Sequence, residues 1–147
     1  MAIDKDLFSS SNFQSIIKKY CTHIGWRIEE IDSNGAILQF NMNSGSTQTI
    51  FIIRHDTTLE FSCPSGLKFD DFNEIPHAFS SHLLIENCKY KFGFWCIEEI
   101  NDKKVFSIMH NAEISLMNVN YFIKIIDNLV KKCDEFEQAA EQAIGNL

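Results

Sequence analysis

From Phe13 onward the apolar side chains recur at helical intervals: Phe13, Ile16, Ile17, Tyr20 and Ile24, with Lys18 and Lys19 on the opposite side. One apolar stripe against a polar face predicts an amphipathic helix. Ser11 and Gln14 have capping-box spacing, and Gly25 stands where a helix stops. Residues 1–10 read as a flexible N-terminal tail.

The period then shortens to two. Trp26–Ile31, Ala36–Met42, Gln48–His55 and Thr57–Cys63 are strand-like runs, separated by Asp32-Ser33-Asn34-Gly35, Asn43-Ser44-Gly45-Ser46 and His55-Asp56. Links this short predict an antiparallel meander. Cys63-Pro64-Ser65-Gly66 breaks the pattern, and Asp70–Asn87 then carries Ile75, Phe79 and Leu83 at helical spacing, with Pro76 held to the first turn or to an irregularity. Lys89–Ile100 and Lys103–His110 predict two more strands joined at Asn101-Asp102. The first has Tyr90, Phe92, Phe94 and Cys96 on one side, with Gly93 as a bulge or close backbone approach. Val119, Phe122, Ile123, Ile126, Leu129, Val130, Cys133 and Phe136 predict a closing helix over 116–144, roughly 43 Å long at 1.5 Å per residue.

The order α-β-β-β-β-α-β-β-α makes this an α+β fold, a mostly antiparallel sheet with helices against it. No repeat or linker interrupts it, so residues 1–147 read as a single domain. The runs 50–53 and 94–97 are apolar at successive positions, as are Val105-Phe106 and Ile108-Met109. A sheet covered on one side should alternate. Either the helices cover both faces, or one face meets another chain. Leu84, Phe94 and Trp95 are the candidate self-association residues.

Leu83-Leu84-Ile85-Glu86-Asn87, then Lys91-Phe92-Gly93-Phe94, then the hairpin through Asn101-Asp102 to Val105-Phe106 resemble the YbjN family. Phe122–Asp127 and Cys133–Phe136 resemble that family's closing helix, and the likeness spans most of residues 11–138. It implies a type III secretion chaperone-like fold. Such chaperones are small acidic dimers that hold extended client segments on apolar surface, and YbjN-like proteins are often described as regulatory. In that family Leu83, Leu84 and Asn87 sit at a helix-to-strand corner. Asn87 has the chemistry to cap carbonyls or hold the turn there.

Composition narrows the function. A chain of 147 residues, 45% hydrophobic and 22% charged, can bury one ordinary core. No apolar run reaches the ~20 residues of a membrane span, and the start lacks the regions of a signal peptide, so a cytoplasmic location is expected. A net charge of -7 disfavours phosphate backbones. Five irregularly spaced cysteines without a Cys-x-x-Cys fit a reducing compartment.

Candidate chemistry is thin. His77 and His82 lie about 140° apart on a helix and cannot share one metal ion. Cys63-Pro64-Ser65-Gly66 is the best local nucleophile candidate, but no oriented base is evident beside it. No phosphate-cradling glycine loop occurs, and the polar side of the closing helix mixes acids with lysines rather than concentrating positive charge for a membrane surface. The reading is a non-enzymatic cytoplasmic protein-binding module, chaperone-like or regulatory. It uses no cofactor, forms a homodimer and holds a protein client, without nucleic acid or membrane. The alternative is a small-ligand-binding or enzymatic domain with a pocket between helix two and the sheet, lined by Cys63, His77 or His82.

Overall fold

The computed structural model describes residues 10–145. The expected tail, residues 1–10, lies outside them except for Ser10. The elements are α1 (Ser10–Ile24), β1 (Ile28–Ile31), β2 (Gly35–Asn41), β3 (Thr47–Arg54), β4 (Thr58–Phe69), α2 (His77–Asn87), β5 (Phe94–Ile100), β6 (Lys103–Glu113) and α3 (Val119–Gly145). The strands form one antiparallel sheet in the order β1-β2-β3-β4-β6-β5, so β1 and β5 are its edges. The α+β class and the element order are as expected from the sequence.

Several boundaries differ, each for a local reason. Ser11 lies inside α1 rather than capping it. The expected break at Cys63-Pro64-Ser65-Gly66 is absent, because β4 runs on to Phe69. Its ladder with β6 holds to Pro64↔Ser107, becomes irregular, and resumes at Lys68↔Val105. Proline has no amide to give a ladder, so an irregularity is where a central strand can carry one. Side chains satisfy the displaced backbone. Leu67 N–H donates to Ser65 Oγ (3.2 Å), and Gly66 N–H donates to Glu137 of α3 (3.2 Å).

The helix expected over 70–87 is divided. Phe72–Glu74 forms a 3-10 turn capped by Asp71, and Pro76 stands just before α2. β5 begins only at Phe94, after Gly93 at φ +87°. Asn101 (φ 50°) and Asp102 (φ 64°) make a tight left-handed turn into β6, the backbone twist that a two-residue hairpin needs.

All three helices pack on the same face of the sheet. Phe122 of α3 meets Tyr20 of α1 (ring centroids 5.0 Å) and Phe61 of β4 (5.9 Å). Phe136, about four turns further along α3, meets Phe79 of α2 (6.1 Å), Trp95 of β5 (4.9 Å) and Phe106 of β6 (5.8 Å). Ile50, Ile52, Leu59 and Ile108 are fully buried beneath them. Removing each such side chain from water contributes about 1.5–3 kcal/mol. The helices cover only one side of the apolar runs. Ile50 and Ile52 point into the core, whereas Phe51 and Ile53 point away and remain 37% and 41% exposed.

Candidate functional site

The corner between α2 and β5 is built around Asn87. Its Oδ1 accepts the Trp95 N–H at 2.6 Å, and its Nδ2 donates to the Trp95 carbonyl at 3.1 Å. A neighbouring strand would make the same two bonds, so a side-chain amide closes this part of a sheet edge. The Trp95 indole N–H donates to the Tyr90 hydroxyl at 3.2 Å.

Two hollows flank that corner. An apolar groove of about 170 Å³ lies between α2 and the sheet, walled by Leu83, Leu84, Trp95, Ile97 and Phe106. Leu84 of this wall and Ile85, the next residue of α2, are among the most exposed large apolar side chains, at 68% and 59%. A cavity of about 310 Å³ opens between α2, β5 and α3. Phe79, Leu83, Trp95 and Phe136 form its apolar walls, and His82, Glu86, Tyr90, Lys132 and Glu135 its polar ones.

Lys132 is held in that wall. Its ammonium donates to the Phe92 carbonyl at 2.6 Å and lies 3.9 Å from the centre of the Tyr90 ring. Burial lowers its pKa, opposed by Glu135. Glu86 is bound to Lys89 at 2.9 Å, and that hydrogen bond holds its carboxyl below the usual range.

The predicted association residues separate in space. Leu84 and Trp95 wall the same groove, Leu84 outward from α2 and Trp95 buried at 4% exposure. Phe94, 38% exposed, lies on the other face of the sheet. Ile97, 38% exposed, lines the groove as well, and Ile85 is exposed on α2. Their signal was the widened apolar face of helix two and the two-faced run at 94–97.

The other sequence candidates do not assemble into chemistry. Cys63 is buried within β4, with its thiol toward Gln48 Oε1 at 3.7 Å. The Cys133 thiol is pushed up by its contact with Cys63 and by burial, the opposite of an activated nucleophile. His77 bonds Ser81 at 3.3 Å, whereas His82 lines the 310 Å³ cavity. Among the described residues no three metal-ligating side chains converge. Glu98 and Glu99 diverge, one to Ser62 and the other to Lys104. Tyr90, Phe92 and Phe94 do not share a face. Phe92 packs on His110 and Tyr121 while Phe94 points outward.

No protein-family model and no curated protein matches the chain. Solved structures do. A chain of the HopA1–SchA chaperone–effector complex superposes with a TM-score of 0.62 at 5% identity, over 88% of this chain and 95% of that one. YbjN from E. coli, described as a candidate transcription regulator, gives 0.56 at 11% identity, over 86% and 89%. The fold is YbjN-like. An uncharacterised protein from Methanothermobacter thermautotrophicus shares this YbjN-like arrangement, with a TM-score of 0.60 at 13% identity over 88% and 97%. Among the described residues no helix is long and apolar enough to cross a membrane.

Proposed function

We propose that this chain is a non-enzymatic, cytoplasmic protein-binding module, chaperone-like or regulatory, that works as a homodimer. The observation that carries the reading is the exposed apolar pair Leu84 and Ile85 on α2, with Leu84 in the wall of the groove next to an edge strand. Exposed apolar side chains gathered at one place gain by leaving water against a partner. Likeness in fold to a chain of a chaperone–effector complex is compatible with a client.

Light scattering at micromolar concentration tests the dimer. The expected result is twice the chain mass, falling to one chain mass in Leu84→Asp with unchanged circular dichroism. A single-chain mass for the unmodified protein overturns it. Phe94→Ala asks whether the outer face contributes. Trp95, being buried, reports on folding rather than on contact.

The 310 Å³ cavity favours a second reading, a small-ligand-binding or enzymatic domain. Aromatic walls with a few polar groups are how ligand pockets are usually lined, and His82 is among those polar groups. A thermal-shift screen of small aromatic acids and amines would support it through a hit abolished by Ala139→Trp, which fills the cavity. Stabilisation that survives that substitution would count against it.

A further inference from the structure

The outer face of the sheet carries chemistry that folding leaves unused. Ile37, Phe51, Met109 and Phe94 stand in register across β2, β3, β6 and β5, with Ser62 of β4 between Phe51 and Met109. Glu30, Glu60 and Glu98 flank this apolar row on the same face. The Ser62 hydroxyl donates to Glu98 Oε2 at 3.0 Å. The register sets Ser62 opposite Met109 and Glu98 opposite Val105, so the bond runs obliquely across β6, past Ser107.

Ser107 is fully buried, and its hydroxyl has no hydrogen-bond partner. Orphaned polar atoms of this kind are uncommon and want an explanation. Cys96, opposite Ser107, senses the same field. Burial, then Glu98 and Glu60, push its thiol up to about 11. Among the described residues no Lys or Arg forms an ion pair with Glu30, Glu60 or Glu98; Glu60 meets only His55, at 3.6 Å. Of the lysines of this face, Lys68 stands in Glu98's own row, across Val105, without an ion pair to it, and Lys103 lies one same-face position beyond, where it is taken by Asp70.

We infer that this face docks a segment carrying a Lys or Arg between apolar side chains, with the cation on Glu98 and Glu60 and the flanking groups on Phe51 and Phe94, which are exposed where Met109 between them is buried. The inference rests on the protein-binding reading and names the partner's chemistry. A second copy fits poorly, because a two-fold contact would set this patch against itself and bring like charges together, which costs rather than stabilises. Polyanions are repelled by the same carboxylates.

The probe is a short labelled peptide of alternating leucine and lysine, with a leucine–glutamate twin as control. The full chain is expected to bind the first and not the second. Zero-length carbodiimide coupling joins a carboxylate to a lysine amine as an amide. In the unmodified protein, mass spectrometry should place that amide on Glu60 or Glu98. Paired Glu60→Gln and Glu98→Gln should weaken binding about tenfold or more, as loss of charge-assisted contacts does. The charge-matched pair Asp127→Asn and Glu141→Gln should not.

Equal weakening by both pairs, coupling confined to carboxylates elsewhere, or no binding at all overturns the inference. So does a change in oligomeric mass in Glu60→Gln/Glu98→Gln, which would mean that a second copy covers the face. The mass measurement on Leu84→Asp stands apart from all of these, so failure here leaves the protein-binding reading to its own test.

Discussion

Gly93 sits at φ +87°, and a Cβ there would lie 2.8 Å from Leu129 Cδ2 in the buried core. Both readings of a glycine within a strand-like run, a backbone irregularity and a close approach, thus meet at one residue. Gly93→Ala should cost about 1–3 kcal/mol in urea unfolding, from left-handed backbone strain and crowding. Asn87→Ala removes both bonds to the Trp95 backbone and should cost about 2–3 kcal/mol, with faster amide exchange at Trp95. Asn87 was legible as a corner residue. Its partner was not, because the bonds depend on where β5 starts. The cysteines also differ by place: Cys88 is exposed, while Cys21, Cys63 and Cys133 are buried. A disulfide reagent should therefore label Cys88 first in the folded protein, with the buried three reacting only on unfolding. Peptide mapping checks that order.

The hairpins of β1 to β3 could be read along the chain because alternation and turn residues are local signals. β4 could not. Its passage through Pro64 depends on Glu137, on a helix far along the chain, accepting the Gly66 N–H. Glu137→Ala should speed hydrogen exchange at Gly66 and cost about 1 kcal/mol. Division of the 70–87 segment was foreshadowed by Pro76, yet the 3-10 turn before it rests on Asp71 accepting the Asn73 N–H (2.8 Å), which apolar spacing does not encode. The insertion of β6 between β4 and β5 is likewise a property of assembly. Short-range signals specify hairpins, not strand order across a helix.

His110 joins β6 to α3 and to the Gly93 segment. Its Nδ1 accepts the Gly93 N–H at 3.1 Å, and its Nε2 meets the Tyr121 hydroxyl at 3.1 Å. Burial, then Lys132, hold its pKa below the ordinary value of 6.5. The unfolded chain therefore takes up this proton first as pH falls. Stability from this site is complete above about pH 6.5 and is lost progressively as pH drops toward the depressed value. The melting temperature should fall as pH drops below about 6.5, and His110→Gln should flatten that part of the profile. The apolar runs disclosed that both sheet faces are greasy. They did not disclose that α1, α2 and α3 share one side, since side-chain period fixes which residues face together but not which face is covered.

The chain has only two tryptophans, and Trp95 is a wall common to the groove under α2 and the cavity beside α3. A guest entering from either direction would alter the surroundings of one indole ring. The molecule thus holds an intrinsic optical gauge, and Trp26→Phe would leave its emission reading that partition alone, without any added dye.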